Sequence, residues 1–170
     1  MKLASLEAIV RSLNEGNVRY LIVGGLAVNA HGYIRFTQDI DLVIALDPAN
    51  IGRAFEMLAK LGYKPAVPIT AEQFANPALR EQWIRDKGMS VLNFFSDRHR
   101  ETNVDVFVAL PFNFERESME AMEGELSPGL CAQFVSLSTL IAMKKIANRP
   151  LDLDDVQHLR WIQEEKKPNE

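Results

Sequence analysis

Two aspartates one residue apart, Asp39 and Asp41, stand at the opening of an apolar run that continues to Leu46. Fourteen residues before Asp39, the pair Gly24-Gly25 closes an earlier apolar run, Tyr20-Leu-Ile-Val23. In a strand, residues i and i+2 share a face about 6.6 Å apart, at ~3.3 Å per residue, so both carboxylates can serve the same divalent cations. A diglycine turn rich in free amides suits the phosphates that such cations carry. This is the layout of metal-dependent phosphoryl or nucleotidyl transfer. A third carboxylate, Asp105, interrupts Val104-Asp-Val-Phe-Val108, a segment otherwise built for burial. An aspartate there is costly unless it is paired or bound to a cation; the alternative is a strand end facing water. If its strand neighbours that of Asp39 and Asp41, three carboxylates converge. Two magnesium ions ~3.5–4 Å apart could then bridge an attacking hydroxyl and a phosphate.

The surrounding pattern supplies elements to position these groups. Leu3, Leu6, Ile9, Val10 and Leu13 recur at helical spacing before Gly16. A strand over Arg19–Val23 is followed by the glycines and a short helix over Leu26–Ala30. A second strand, Ile40–Leu46, is apolar on both faces after Asp41 and is expected to be central. Asp47-Pro48 caps a helix running to Gly62. Thr70-Ala-Glu-Gln73 is a capping box opening a helical region toward Ile84 with a break at Asn76-Pro77. Val91–Phe95 and Asn103–Val108 form two strands around a polar turn, the second presenting Asn103, Asp105 and Phe107 on one face. A short acidic helix over Phe114–Met122 and an edge strand over Cys131–Val135 follow. Ser136 caps a helix, Leu137–Asn148, which Arg149-Pro150 breaks before a last helix. The tail from Glu164 reads as solvated, and 166–170 as disordered. The order describes an α/β (α+β) chain: one domain over 1–170 with a mixed sheet flanked by helices, the C-terminal pair at about 136–165.

At 170 residues and 47% hydrophobic content the chain can bury a core, and its net charge of −4 argues against coating nucleic acid. The lone Cys131 excludes an intramolecular disulfide and suits a reducing cytoplasm. The N-terminus reads as a helix rather than a signal peptide, and no apolar run is long enough for a bilayer, so no membrane partner is expected.

Gly24-Gly25, Asp39-Ile-Asp41 and the later Asp105 resemble the minimal nucleotidyltransferase fold of the DNA polymerase β superfamily. Gly-Gly-x-Ala, His31-Gly32 and Arg35-x-Thr37-x-Asp-Ile-Asp-Leu42 are more similar to the bacterial branch of AbiEii-like abortive-infection toxins and small antibiotic nucleotidyltransferases. Lys144-Lys145 followed by Arg149-Pro150-Leu-Asp152-Leu-Asp-Asp155 also resembles that branch. The resemblance covers most of residues 18–160. It implies Asp39, Asp41 and Asp105 as catalytic metal ligands for Mg2+ or Mn2+, and Gly24 and Gly25 as the triphosphate turn. It implies Lys144, rather than Lys145, as the residue neutralising phosphate. The substrate would be an NTP, whose NMP passes to a hydroxyl of a tRNA, a protein or a small molecule; a toxin would also have an antitoxin partner protein. Many superfamily members carry Gly-Ser where this chain has Gly24-Gly25, so here the backbone amides must hold the phosphate. The missing hydroxyl also leaves open a module that binds nucleotide or a partner without turnover. A dinucleotide-binding Rossmann unit fails, because no Gly-x-Gly-x-x-Gly follows the first strand.

Other residues have two readings each. Arg35 can reach the triphosphate or pair with a carboxylate. Thr37 belongs with the nucleotide-binding set or merely turns the chain. His31 lines the site or ends the short helix with Gly32. Asp152, Asp154 and Asp155 stabilise a helix N-terminus, or Asp152 fixes Lys144. Trp83, Trp161 and Cys131 read as packing residues.

Overall fold

A computed structural model of the protein describes residues 1–165; the expected disordered tail at 166–170 lies outside them. Helix α1, Leu3–Glu15, buries Leu6, Ile9, Val10 and Leu13 as its spacing requires. Strand β1, Tyr20–Val23, leads directly into α2, Gly24–His31, so the glycines form the helix's first turn rather than a linker before it. Strand β2, Ile40–Ile44, precedes α3, Pro48–Lys60, whose N-cap Asp47 accepts the Asn50 amide N–H. Asn50 is fully buried and bonds to both main-chain groups of Arg19 and to the Ala45 carbonyl, pinning the start of β1 to the end of β2.

After β3, Tyr63–Pro65, the Thr70 capping box forms as expected and opens α4, Ala71–Ala75. Asn76 then starts α5, Pro77–Lys87. Strands β4, Val91–Ser96, and β5, Val104–Phe107, are followed by α6, Phe114–Glu120, β6, Met122–Ser127, and β7, Leu130–Phe134. The chain then turns into α7, Leu137–Ala147, and α8, Pro150–Glu165.

The strands form a seven-stranded mixed sheet in the order β3-β4-β5-β2-β1-β7-β6. β2 is central, as its apolar composition requires, with β1 antiparallel on one side and β5 parallel on the other. Two expectations need correction. The segment at Cys131 is not an edge strand, because β6 pairs outside β7. Met122 opens β6 rather than ending the acidic helix. The sequence of β6, Met-Glu-Gly-Glu-Leu-Ser, lacks a strand pattern. It is held by pairing with β7, and Gly124 gives way to the Phe134 ring, 2.8 Å from where a Cβ would sit. The core runs through Ile22, Ile40, Leu42, Phe94 and Phe134, with α1 and α3 in mutual contact and α2, α7 and α8 forming a second packed group. No helix among the described residues is long and apolar enough to cross a membrane.

Candidate active site

The sheet order gathers the acidic residues. In the parallel β2–β5 pair Asp41 stands directly opposite Asp105, and in the antiparallel β1–β2 pair it stands opposite Val23. Gly24, the next residue, therefore begins against the Asp41 side chain. Its φ is +66°, a conformation side chains rarely adopt, and a Cβ there would lie 1.9 Å from Asp41 Oδ2. Gly25 is crowded in turn: its Cβ position is 2.7 Å from Thr37 Oγ1 and 3.0 Å from Arg35 Nη1. The glycines are needed here because the backbone, the carboxylate and the Arg35–Thr37 segment occupy the same space.

A cleft of about 680 Å³ opens at this point, and Gly24, Gly25, Arg35, Thr37, Asp39, Asp41, Asp105 and Lys144 all line it. Burial, and then the charge of Asp105, push the Asp41 carboxyl up to about 6, against the pull of Lys144. Burial also raises Asp105, opposed by a 2.7 Å hydrogen bond from Asn93 Nδ2 and reinforced by Asp39. Asn93, in register with Asp105 on β4, is a site residue the sequence reading missed; its signal was the shared face of the two strands.

A second cluster of charge gathers around Lys144 and Arg35. Lys144, on α7, is buried, donates to Asp152 at 3.0 Å and forms an ion pair with Asp155 at 2.9 Å. Arg35 pairs with Asp155 in bidentate fashion, Nε to Oδ1 at 2.7 Å and Nη2 to Oδ2 at 2.9 Å. Nη1 donates to the Phe36 carbonyl at 3.0 Å and lies against Gly25. Arg149, also on the cleft wall and read in the sequence as a helix breaker within the Arg149-Pro150-Leu-Asp152 motif, donates through Nε to Asp152 at 2.6 Å. Burial pushes the Asp152 carboxyl up, but hydrogen bonds from Arg149 and Lys144 outweigh it and hold the group at about 2. Asp152 thus fixes Lys144, and Asp155 is buried between Arg35 and Lys144 rather than acting as a helix-end charge. Both aspartates are 0% exposed.

His31 lies off the cleft, buried with Nε2 2.8 Å from the Val135 carbonyl, and Gly32 takes the left-handed cap position. Trp161 is half exposed rather than packed, and Cys131 is only half-buried.

Among the described residues, no three acidic, histidine or cysteine side chains stand in ready-made coordination of an ion. What the cleft offers is a set of three carboxylates on one wall, two of them in direct register, with Asp105 raising the proton affinity of Asp41 and Asp39 that of Asp105. An all-oxygen set of that charge fits a hard cation such as Mg2+ or Mn2+.

No family model and no curated protein matches the sequence. Solved structures do match the shape. The lincosamide antibiotic adenylyltransferase LnuA, lincomycin-bound, aligns with a TM-score of 0.58 at 15% identity, over 88% of this chain and 90% of that one. ANT(2")-Ia in complex with adenylyl-2"-tobramycin gives 0.58 at 14%, over 92% and 86%. An antigenic nucleotidyltransferase-like protein from Paracoccidioides brasiliensis gives 0.60 at 16%, over 92% and 74%. The fold is that of the nucleotidyltransferases. At these identities the likeness is one of fold, and the site's chemistry must be argued from its own residues.

Proposed function

We propose that the protein is a metal-dependent nucleotidyltransferase that moves NMP from an NTP to an acceptor hydroxyl. The observation that supports this most is the register of Asp41 with Asp105 beside the Gly24 turn, with Asp39 on the same cleft. Asp39, Asp41 and Asp105 would hold the divalent ions, which when bound supply positive charge to the phosphates and make the acceptor hydroxyl more acidic. The amides of the Gly24-Gly25 turn and Arg35 Nη1 face the position of the triphosphate, with Thr37 beside them. Lys144 donates one hydrogen bond to Asp152 and is ion-paired with Asp155, so its ammonium keeps donor capacity for a phosphate oxygen. Asp105, steadied by Asn93, takes the hydroxyl proton. The new O–P bond forms at the α-phosphorus as the bond to pyrophosphate breaks.

For the acceptor, the likeness of the Lys144 to Asp155 segment to AbiEii-like proteins supports a toxin that modifies tRNA or protein beside an antitoxin. A small-molecule acceptor is supported by a different observation: two of the matching structures hold lincomycin and an adenylyl-tobramycin.

The test is incubation with each α-labelled NTP, magnesium or manganese, and cell extract. Label transfer that disappears in Asp39→Ala is the expected result. Nucleotide binding by calorimetry without transfer under any condition would instead make the chain a binding module.

A further inference from the structure

Between α2 and β2 the chain from Tyr33 to Gln38 belongs to no helix or strand, yet it delivers Arg35, Thr37 and Asp39 to the cleft. Its side chains alternate as in an extended strand. Ile34 and Phe36 are 78% and 76% exposed, while Arg35, Thr37 and Asp39 are half-buried. Such a segment must be held in register, because a slip of one residue turns every side chain to the opposite side. Pairing between β2 and β5 begins only at Ile40, so the sheet does not supply that register. Helix α2 supplies it. Asn29 accepts the Arg35 N–H through Oδ1 at 2.9 Å and donates through Nδ2 to the Arg35 carbonyl at 2.9 Å. One helical turn earlier, Gly25 leaves room for Thr37, whose Oγ1 is 2.7 Å from the glycine's Cβ position. The two spacings agree: four helical residues rise about 6 Å at ~1.5 Å each, and two extended residues span ~6.6 Å. The segment therefore runs antiparallel to α2, with Arg35 over Asn29 and Thr37 over Gly25.

Taking nucleotidyl transfer as the basis, we infer that Asn29, which stands outside the cleft lining, is a positioning residue for the nucleotide. Its two hydrogen bonds set the register that brings Arg35 and Thr37 against the Gly24-Gly25 turn. A primary amide suits this task, because one planar group offers both a donor and an acceptor and so grips both main-chain groups of one residue. The Arg35–Asp155 ion pair does not replace it. A long arginine side chain has enough rotamers to meet a fixed carboxylate from a shifted main chain, whereas the short Thr37 side chain follows its backbone. Asp39 depends on Asn29 less, since the Ile40 N–H donates to the Asn103 carbonyl at 3.0 Å and fixes the entry to β2. Loss of the Asn29 amide therefore loosens the contacts that hold the phosphates and spares the three carboxylates. Its signature is weaker nucleotide binding with the saturated rate nearly unchanged.

The experiment compares the parent, Asn29→Ala and Asn29→Asp as full chains. Exchange of the Arg35 amide is followed by NMR without ligand. The dissociation constant of each of the four NTPs is measured by calorimetry in magnesium, and transfer at saturating NTP is measured in cell extract. Asn29→Ala is expected to speed Arg35 amide exchange by about tenfold or more and to weaken NTP binding by about tenfold. Its transfer rate at saturation should stay within about threefold of the parent. Asn29→Asp keeps the acceptor for the Arg35 N–H and loses the donor. Its Arg35 amide should stay protected and its NTP binding should fall between the other two, which carries the test if Asn29→Ala does not fold. NTP binding equal in the parent and in whichever variants fold would overturn the inference alone. A lower melting temperature and saturated rate with unchanged binding would also overturn it, by making Asn29 a residue of the fold only. Failure of the parent to bind any NTP would instead sink the nucleotidyl-transfer reading, and the role of Asn29 with it.

Discussion

Asp41→Asn is expected to make the metal-free protein more stable at pH 7.5, with a melting temperature about 4–12 °C higher, while lowering transfer by about a thousandfold or more. Asp41 is buried, opposite Asp105 and against Gly24, with its carboxyl pushed up from the ordinary 3.8 to about 6 by burial and then by Asp105. A carboxyl raised in the folded state contributes its stability in full below pH ~4 and loses it as pH climbs through about 6. Above that range the ionised group opposes folding by about 2–3 kcal/mol, on the spacing between those two values. Asparagine has no such titration. The difference in melting temperature between the two proteins should therefore be small at pH 4 and fully developed above pH 7, measured by calorimetry in EDTA. A functional carboxylate held at the expense of stability behaves this way. An asparagine variant less stable than the parent at pH 7.5 would mark Asp41 as a structural residue.

The largest loss of stability is expected from Asp155→Ala. Its carboxylate accepts from Arg35, forms an ion pair with Lys144, and is fully buried. Removing it leaves two cations facing each other without their shared partner, and breaking a buried pair in that way costs about 3–5 kcal/mol. For a chain of this size the corresponding drop in melting temperature is about 6–20 °C. Asp154→Ala, one residue away, is the control. Asp154 is half exposed, accepts from Tyr33 Oη at 2.7 Å, and should cost less than about 1 kcal/mol. Chemical denaturation of the two variants in parallel separates the outcomes; equal, small losses would mean that the buried charge cluster does not hold the site together.

What the sequence revealed depended on whether the informative contact was local. Asp39, Asp41 and Asp105 were legible because a carboxylate in an apolar strand is costly without a reason, and the glycine pair because it abuts a strand end. The central place of β2 followed from its two apolar faces. β3 and β6 were missed because their residues carry no strand pattern and are recruited by pairing to β4 and β7. The ion cluster was only half legible. Arg35 and Asp155 are 120 residues apart, so nothing in the local pattern told Arg35's carboxylate option from its phosphate option, or showed that Asp155 faces inward. Asn93 became recognisable only once the β4–β5 register placed it opposite Asp105.

The most direct test is anomalous diffraction from crystals grown with manganese and a non-hydrolysable ATP analogue. Manganese is expected between the carboxylates of Asp41 and Asp105, with Asp39 as a further ligand and the triphosphate on the Gly24-Gly25 turn. Manganese and nucleotide bound elsewhere, with these three aspartates free of metal, would contradict the proposed active site.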